Sequence, residues 1–333
     1  MRTLVIAEAG VNHNGDIELA RELVRIAYES GADIVKFQTF KAERLATRGA
    51  GKAAYQMQTT STEETQFDML KRLELPLEFH VELISLCGDL GIEFLSTAFD
   101  PQSLEDLIRL GIKRIKIPSG ELTNLLLLRK AAAAGLPVIL STGMAYLNEI
   151  KLAVAALQQG GMALEDITVL HCTSEYPAPV EMINLNAMKT ISAELGTMVG
   201  YSDHSEGIEI ATAAVALGAN VIEKHFTIDR TMAGPDHLAS LGPDDLKTMI
   251  SAIRNVEVCL GNGNKVPAPC EFENRDLVRK SIVAACNIRQ GEILGEHNLA
   301  VKRPGTGISP MEWDKVIGLP SPRDFEADEL IKI

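Results

Sequence analysis

The stretch Gly91-Ile-Glu-Phe-Leu-Ser-Thr-Ala-Phe-Asp-Pro-Gln-Ser-Leu-Glu-Asp-Leu-Ile-Arg-Leu-Gly-Ile-Lys-Arg-Ile-Lys-Ile117 contains one complete structural repeat. Ile92–Ser96 is an apolar run of strand length, and Gln102–Leu110 carries apolar residues at helical spacing. Gly111 follows, and a glycine just past a helix adopts the left-handed cap conformation without steric cost. Arg114–Ile117 is then the next strand. Two parallel strands need a crossover between them, and a helix of this length supplies one.

The same unit recurs on both sides. Before it come a strand at Thr3–Ala7, a helix at Ile17–Tyr28, a strand at Asp33–Phe37 and a helix at Leu77–Leu90. After it come a helix at Leu125–Ala134, a strand at Pro137–Leu140, a helix at Asn148–Gln159 and a strand at Ile167–His171. Leu185–Leu195 (helix), Met198–Tyr201 (strand), Ile208–Leu217 (helix), Asn220–Lys224 (strand) and Pro243–Leu260 (helix) complete the series. The strands read as apolar runs rather than alternating ones, as strands covered on both faces should. Eight consecutive strand–helix units predict a (β/α)8 TIM barrel rather than an open sheet. A long polar segment from Thr39 to about Pro76, with Tyr55, Gln56 and Gln66, interrupts the pattern and is expected to close over the site.

After Leu260 the texture changes. Gly261-Asn-Gly-Asn-Lys-Val-Pro-Ala-Pro269 is a linker by composition. The reading is a barrel over 1–262, a linker over 263–276 and a small, mostly β domain over 277–333. Strands are expected at Ser281–Ala285 and Leu299–Lys302, with a turn at Gly291-Glu292 and a corner at Pro304-Gly-Thr-Gly307. So short a piece barely holds a core alone, so it is expected to pack on something else.

Composition narrows the function. Of 333 residues 46% are hydrophobic and 23% charged, enough for a globular core. No apolar run approaches the roughly 20 residues of a membrane helix. The N-terminal run lacks a signal peptide's length and cleavage site, so a cytoplasmic protein without a membrane partner is expected. The five cysteines, Cys87, Cys172, Cys259, Cys270 and Cys286, are scattered and odd in number, which argues for reduced thiols. A net charge of −13 argues against nucleic acid as a partner. An anionic substrate would need a local cluster of cations set against that field.

In such barrels the chemistry sits at the C-terminal ends of the strands. Those ends carry Glu8, Lys36, Gln38, Thr97, Lys116, Ser119, Glu121, Ser141, Ser174, Tyr176, Ser202, Asp203, His204, Glu223, Lys224 and His225, with Asp236 shortly after. Lys36 and Lys116, with the hydroxyls of Thr97, Ser119 and Ser141, describe an anion site. The serines and threonines also suit helix caps, and both roles can hold for one residue. His204 and His225 end neighbouring strands, where two neutral imidazoles can hold one divalent ion with positions left open. The competing reading is that one of them is only a hydrogen-bond donor. Asp203 stands beside His204 as a candidate to orient it. Glu8, Glu121 and Asp236 remain as carboxylates for a hydroxylated substrate or for acid–base work.

The ordered series Ile6-Ala-Glu-Ala-Gly-Val-Asn-His-Asn-Gly15, Val35-Lys-Phe-Gln-Thr39, Phe94-Leu-Ser-Thr97 and Lys116-Ile-Pro-Ser-Gly-Glu121 resembles the sialic acid (N-acetylneuraminate) synthase family. So do Leu140-Ser-Thr-Gly-Met144, His171-Cys-Thr-Ser-Glu-Tyr-Pro177, Gly200-Tyr-Ser-Asp-His204, Glu223-Lys-His-Phe-Thr227 and Gly234-Pro-Asp-His237. Legionaminate and pseudaminate synthases share these motifs. Arg279-Lys-Ser-Ile-Val283, Gly291-Glu292 and Asn298-Leu-Ala-Val-Lys-Arg-Pro-Gly305 look like the antifreeze-like (SAF) domain of these enzymes.

The resemblance implies a condensation of phosphoenolpyruvate with an open-chain N-acetylated amino-sugar, releasing phosphate by C–O cleavage. Phosphoenolpyruvate would be held by Lys36, Thr97, Lys116, Ser119, Ser141, Tyr176 and Ser202. Ser174, where some members carry Asn, would join them. His204 and His225 would bind manganese, or magnesium or cobalt, to polarise the aldehyde. Glu8 would organise the attacking water, so Glu8, His204 and His225 form the catalytic set. Glu121, Tyr176 and Asp236 would hold the sugar, joined by Arg303 from the small domain of a partner chain in a domain-swapped homodimer. N-acetylmannosamine is the expected acceptor, giving N-acetylneuraminate. A 2,4-diacetamido-trideoxy hexose, leading to legionaminate or pseudaminate, is the alternative.

Two other classes compete. A metal-dependent hydrolase on the same barrel usually wants a His-x-His pair after strand one, and Asn12-His13-Asn14 has one histidine. A sugar- or ice-binding protein is suggested by the C-terminal domain alone.

Overall fold

Eight parallel strands close into a barrel in chain order in a computed structural model that describes residues 2–53, 56–57, 60 and 64–333. They are β1 (Leu4–Gly10), β2 (Ile34–Thr39), β3 (Glu93–Ala98), β4 (Ile115–Ile117), β5 (Val138–Ser141), β6 (Ile167–Cys172), β7 (Met198–Asp203) and β8 (Val221–His225). The ring closes through β1 and β8, from Leu4 opposite Val221 to Glu8 opposite His225. The (β/α)8 expectation is met, and the helices fall close to their predicted bounds. Asp16 caps the helix Ile17–Glu29 by accepting from the Glu18 and Leu19 amides. Asp100 does the same for Pro101–Arg109, which opens on a proline as a first turn permits.

The strands differ from expectation in one systematic way. All except β4 run past the residue where the apolar run stops. Backbone ladder bonds, not side-chain polarity, define a strand, and Glu8, Thr97, Ser141, Ser202 and His225 lie within the strands themselves.

Successive strand residues point to opposite faces, which sorts this barrel into layers. Ile6, Ile34, Leu95, Ile139, Leu170 and Val221 pack together as the barrel's interior floor. The odd-numbered neighbours on β1 and β2, Val5, Ala7, Val35 and Phe37, belong to the larger core shared with the helices. Two residues beyond the floor, on the same inward face, stand Glu8, Lys36, Thr97, Ser141, Cys172 and Glu223. The interior is therefore apolar below and ionic above, and the floor seals one end. Gly200 lies in the floor layer because nothing larger fits: a Cβ there would sit 2.4 Å from the Val221 carbonyl and 2.6 Å from Leu170 Cδ2.

The segment after β2 is less irregular than its polarity implied. It forms the short helices Ala42–Leu45 and Gln66–Leu73, the second opened by a Thr65–Asp68 capping box. Met69 and Leu73 bury against Val11 and Phe40. Tyr55 lies outside the described residues. No helix among the described residues is long and apolar enough to cross a membrane.

The chain divides into two compact units, Met1–Gly261 and Asn262–Ile333. In the second, a helix, Phe272–Val278, runs from the stretch read as linker into the one read as the small domain. Strand β9 (Ser281–Ala284) pairs antiparallel with β10 (Leu299–Lys302). Ile282, Ile288, Leu294, Leu299, Val316, Phe325 and Ile331 form a core of its own.

Candidate active site

Strand register brings the site together before any side chain is considered. Glu8 lies opposite Lys36, Thr97 opposite Lys116, Cys172 opposite Ser202, and Ser202 opposite Glu223. A register shift between Glu8 and Gly10 bends β1 at the rim. The side chains of these residues line one cavity of roughly 450 Å³ at the C-terminal mouth. That is the range of small-ligand sites.

Its base is a buried four-charge box. Lys36 Nζ lies 2.7 Å from Glu8 Oε2 and 3.7 Å from Glu223 Oε2, and Lys116 Nζ lies 3.3 Å from Glu223 Oε1. Each lysine also donates to a hydroxyl: Lys36 to Thr97 Oγ1 at 2.8 Å, Lys116 to Ser141 Oγ at 2.7 Å. Ser202 Oγ donates to Glu223 Oε1 at 3.0 Å, and Gln38 Nε2 to Glu8 Oε1 at 3.2 Å. Buried charges survive only when paired in this way.

The two carboxyls are driven apart. Burial works to raise Glu223, but the Lys116 and Lys36 ammoniums overcome it and hold the carboxyl to about 2. Burial dominates at Glu8 and pushes it up to about 7, with Lys36 opposing and the Glu223 charge adding to the rise. Burial also lowers Lys116, which Glu223 only partly restores. Two lysines thus hold one carboxyl in its ionised form, while burial shifts the other toward its protonated form.

Next to the box stand His204 and His225, ring centroids 5.6 Å apart, with Tyr176 4.1 Å from the His204 ring and 5.6 Å from that of His225. Burial lowers His204 to about 4 and His225 well below its ordinary value, so both are neutral imidazoles. His204 Nδ1 lies 2.6 Å from the Thr173 carbonyl oxygen, which can only accept, so Nδ1 carries the proton and Nε2 keeps a lone pair. His225 Nδ1 is buried with no hydrogen-bond partner, and Asp236 Oδ2 is 3.8 Å away. Two neutral imidazoles, His204 with an Nε2 lone pair 3.4 Å from Ser202 Oγ and His225 with an unpartnered Nδ1, fit a divalent ion of two protein ligands. Among the described residues no group of three or more His, Cys, Asp or Glu is arranged for a metal. Any ion here therefore completes its shell with water or substrate.

Glu8, Lys36, Thr97, Lys116, Ser119, Glu121, Ser141, Ser174, Tyr176, Ser202, His204, His225 and Asp236, all picked from the sequence, line this single cavity. Ser119 Oγ accepts from the Gly143 amide at 2.9 Å. A Cβ at Gly143 would lie 2.1 Å from Ser174 Oγ, so a larger residue there displaces that hydroxyl. Glu121 accepts from Asn124 Nδ2 at 2.7 Å, and Asp236 is raised to about 6 by burial, against the pull of Lys36. Arg303 belongs to the second unit, where its Nε donates to the Val278 carbonyl at 3.0 Å.

Two candidate residues resolve otherwise. Asp203 does not line the cavity. It pairs with Lys224 at 2.7 Å and accepts from Ser205, entirely buried, so it does not orient His204. His13, which a hydrolase would need as a ligand, is buried against Phe37 and accepts from the Gly15 amide. Glu223, central to the charge box, has no signal of its role in its own type, because its partners Lys36 and Lys116 come from other strands. Its position two residues before His225 on one strand was the available signal.

Comparison with known proteins follows the same division of the chain. The model of the NeuB family matches residues 23–265, and that of the SAF domain matches residues 279–333. The N,N'-diacetyllegionaminic acid synthase of Campylobacter jejuni is 50% identical over 331 residues, 99% of both chains. The enzyme of the same name from Legionella pneumophila is 49% identical over 96% of this chain and 90% of its own. Among solved structures, the N-acetylneuraminic acid synthetase of Leptospira borgpetersenii in complex with citrate superposes with a TM-score of 0.72 at 34% identity. It covers 82% of this chain and 90% of its own.

Proposed function

The chain belongs to the NeuB family, and from that premise we propose that it condenses phosphoenolpyruvate with a 2,4-diacetamido-trideoxy hexose to give an N,N'-diacetyllegionaminate. This sugar replaces N-acetylmannosamine, the acceptor that the motifs suggest. The relatives named for legionaminic acid are 50% and 49% identical over nearly the whole chain, and the solved sialic acid synthetase 34%. The observation that supports the chemistry is the convergence of Lys36 and Lys116 on one cavity with His204 and His225.

Phosphoenolpyruvate brings a carboxylate and a phosphate. Lys36 and Lys116, with the hydroxyls of Thr97, Ser119, Ser141, Ser174 and Ser202, offer charge-assisted bonds to both, and Tyr176 flanks them. His204 and His225 would hold a manganese or similar divalent ion, which supplies Lewis-acid polarisation of the sugar's aldehyde. The methylene carbon of phosphoenolpyruvate gives its electron pair to the aldehyde carbon, and the aldehyde oxygen takes a proton from solvent. Water then adds to the cationic C2, losing a proton to the Glu8 carboxylate. The adduct breaks its C2–O bond, the hydroxyl proton leaves with inorganic phosphate, and a 2-keto acid remains. Glu121, Tyr176 and Asp236 hold the sugar.

Arg303 is assigned to the acetamido group of a sugar bound in a partner chain's barrel, which makes the enzyme a domain-swapped homodimer. Arg303→Ala is expected to raise KM for the sugar at least about tenfold, the scale of one charge-assisted hydrogen bond, with KM for phosphoenolpyruvate unchanged. An unaltered sugar KM removes Arg303 from the site.

The identity of the acceptor is tested by phosphate release with phosphoenolpyruvate and each sugar in turn. The 2,4-diacetamido-trideoxy mannose-type sugar is expected to give the highest kcat/KM. A higher value with N-acetylmannosamine restores the N-acetylneuraminate reading.

A further inference from the structure

The cavity has two faces of opposite character. The strand ends supply ions and hydroxyls, as described. The apolar part of the lining that packs as one cluster comes from the residue after β1 and the segment after β2: Val11, Phe40, Leu45, Met69, Leu70 and Leu73. Met69 and Leu73 are almost fully buried, while Leu45 and Leu70 are half-buried at the cavity wall. No charged side chain from residues 40 to 73 lines the cavity; the polar groups this segment contributes are the Gln56 and Gln66 amides. This holds for the described residues.

An open-chain hexose is long enough to need both faces. Its C1 aldehyde belongs at the ionic end, beside His204 and His225. C6 is the carbon farthest along the chain from C1, so it extends away from the ionic end, toward the apolar cluster. N-acetylmannosamine would place a hydroxyl there, and an apolar wall leaves a hydroxyl without a partner. A 2,4-diacetamido-trideoxy hexose ends in a methyl group. The glutamine amides match an acetamido substituent, which needs one donor and one acceptor.

We infer that the apolar wall built by Leu45, Leu70 and their buried neighbours Met69 and Leu73 reads the C6 methyl of the acceptor and selects deoxy sugars over their 6-hydroxy counterparts. The inference rests on the proposed condensation and adds the residues that set its specificity. An apolar pocket rejects an added hydroxyl only modestly, so the expected preference is about 10- to 100-fold in kcat/KM.

The test uses two acceptors that differ only at C6: the 2,4-diacetamido-trideoxy sugar and its 6-hydroxy analogue. Each is assayed with the full-length enzyme, manganese and saturating phosphoenolpyruvate. The parent is expected to favour the deoxy sugar about 10- to 100-fold. Leu70→Gln, and separately Leu45→Asn, should shrink that ratio at least fivefold by supplying a hydrogen-bond partner, with KM for phosphoenolpyruvate unmoved. A parent ratio near one overturns the inference, whatever the variants do, while leaving the condensation standing. A ratio unchanged in both folded variants also overturns it. Phosphate release with neither sugar, but with N-acetylmannosamine, defeats the proposed acceptor and this inference together.

Discussion

Lys116→Met is expected to lower kcat/KM for phosphoenolpyruvate by about three orders of magnitude, the largest single loss in the site. Lys116 is buried at the base of the cavity, donates to Ser141 Oγ at 2.7 Å and faces Glu223 at 3.3 Å. A trianionic substrate entering an acidic protein depends on such fixed cations. A charge-assisted bond in a dry site is worth roughly 1.5–3 kcal/mol, and the loss of field adds to it. The substitution also leaves Glu223 buried with Lys36 as its remaining lysine, at 3.7 Å. Breaking one side of a buried pair costs about 3–5 kcal/mol of stability. The double variant Lys116→Met with Glu223→Gln separates the two effects. It is expected to recover most of the thermal stability and none of the activity. Recovery of activity as well would mean that Lys116 serves the fold and not the substrate.

The second large effect is at the histidine pair. His225→Ala is expected to abolish manganese-dependent turnover and manganese binding measured by calorimetry, with the melting temperature nearly unchanged. The side chain lies at a cavity wall, so its removal leaves space that water can enter rather than a sealed void. Its Nδ1 makes no hydrogen bond that the fold would lose. With two protein nitrogens available, loss of one halves the protein's share of the coordination sphere. Chelator treatment of the parent should reproduce the kinetic defect, and added manganese should reverse it there but not in the variant. Full manganese binding by His225→Ala would refute the assignment.

Much of this was legible in the sequence. The helix period and the glycines after the helices reported the barrel, because those features are local. Strand ends proved harder for a physical reason. An apolar run stops where the interior turns ionic, but the ladder continues, so Glu8, Thr97, Ser141, Ser202 and His225 lie within strands rather than after them. The adjacent residues Asp203 and His204 show what a linear reading misses. One faces the helices and pairs with Lys224; the other lines the cavity. Glu223 was hidden for a related reason, since its importance lies in two lysines from other strands. The apolar wall from residues 40 to 73 was masked by the polarity of its own segment, whose few apolar residues gather only after folding.

The central claim is that this cavity joins phosphoenolpyruvate to a sugar aldehyde and discards phosphate from carbon. Phosphoenolpyruvate labelled with oxygen-18 at the bridging position, incubated with the parent enzyme, manganese and the 2,4-diacetamido-trideoxy sugar, tests it most directly. The label should appear in inorganic phosphate, and no phosphate should form without the sugar. Label retained in the sugar acid, or phosphate released from phosphoenolpyruvate alone, would contradict the account.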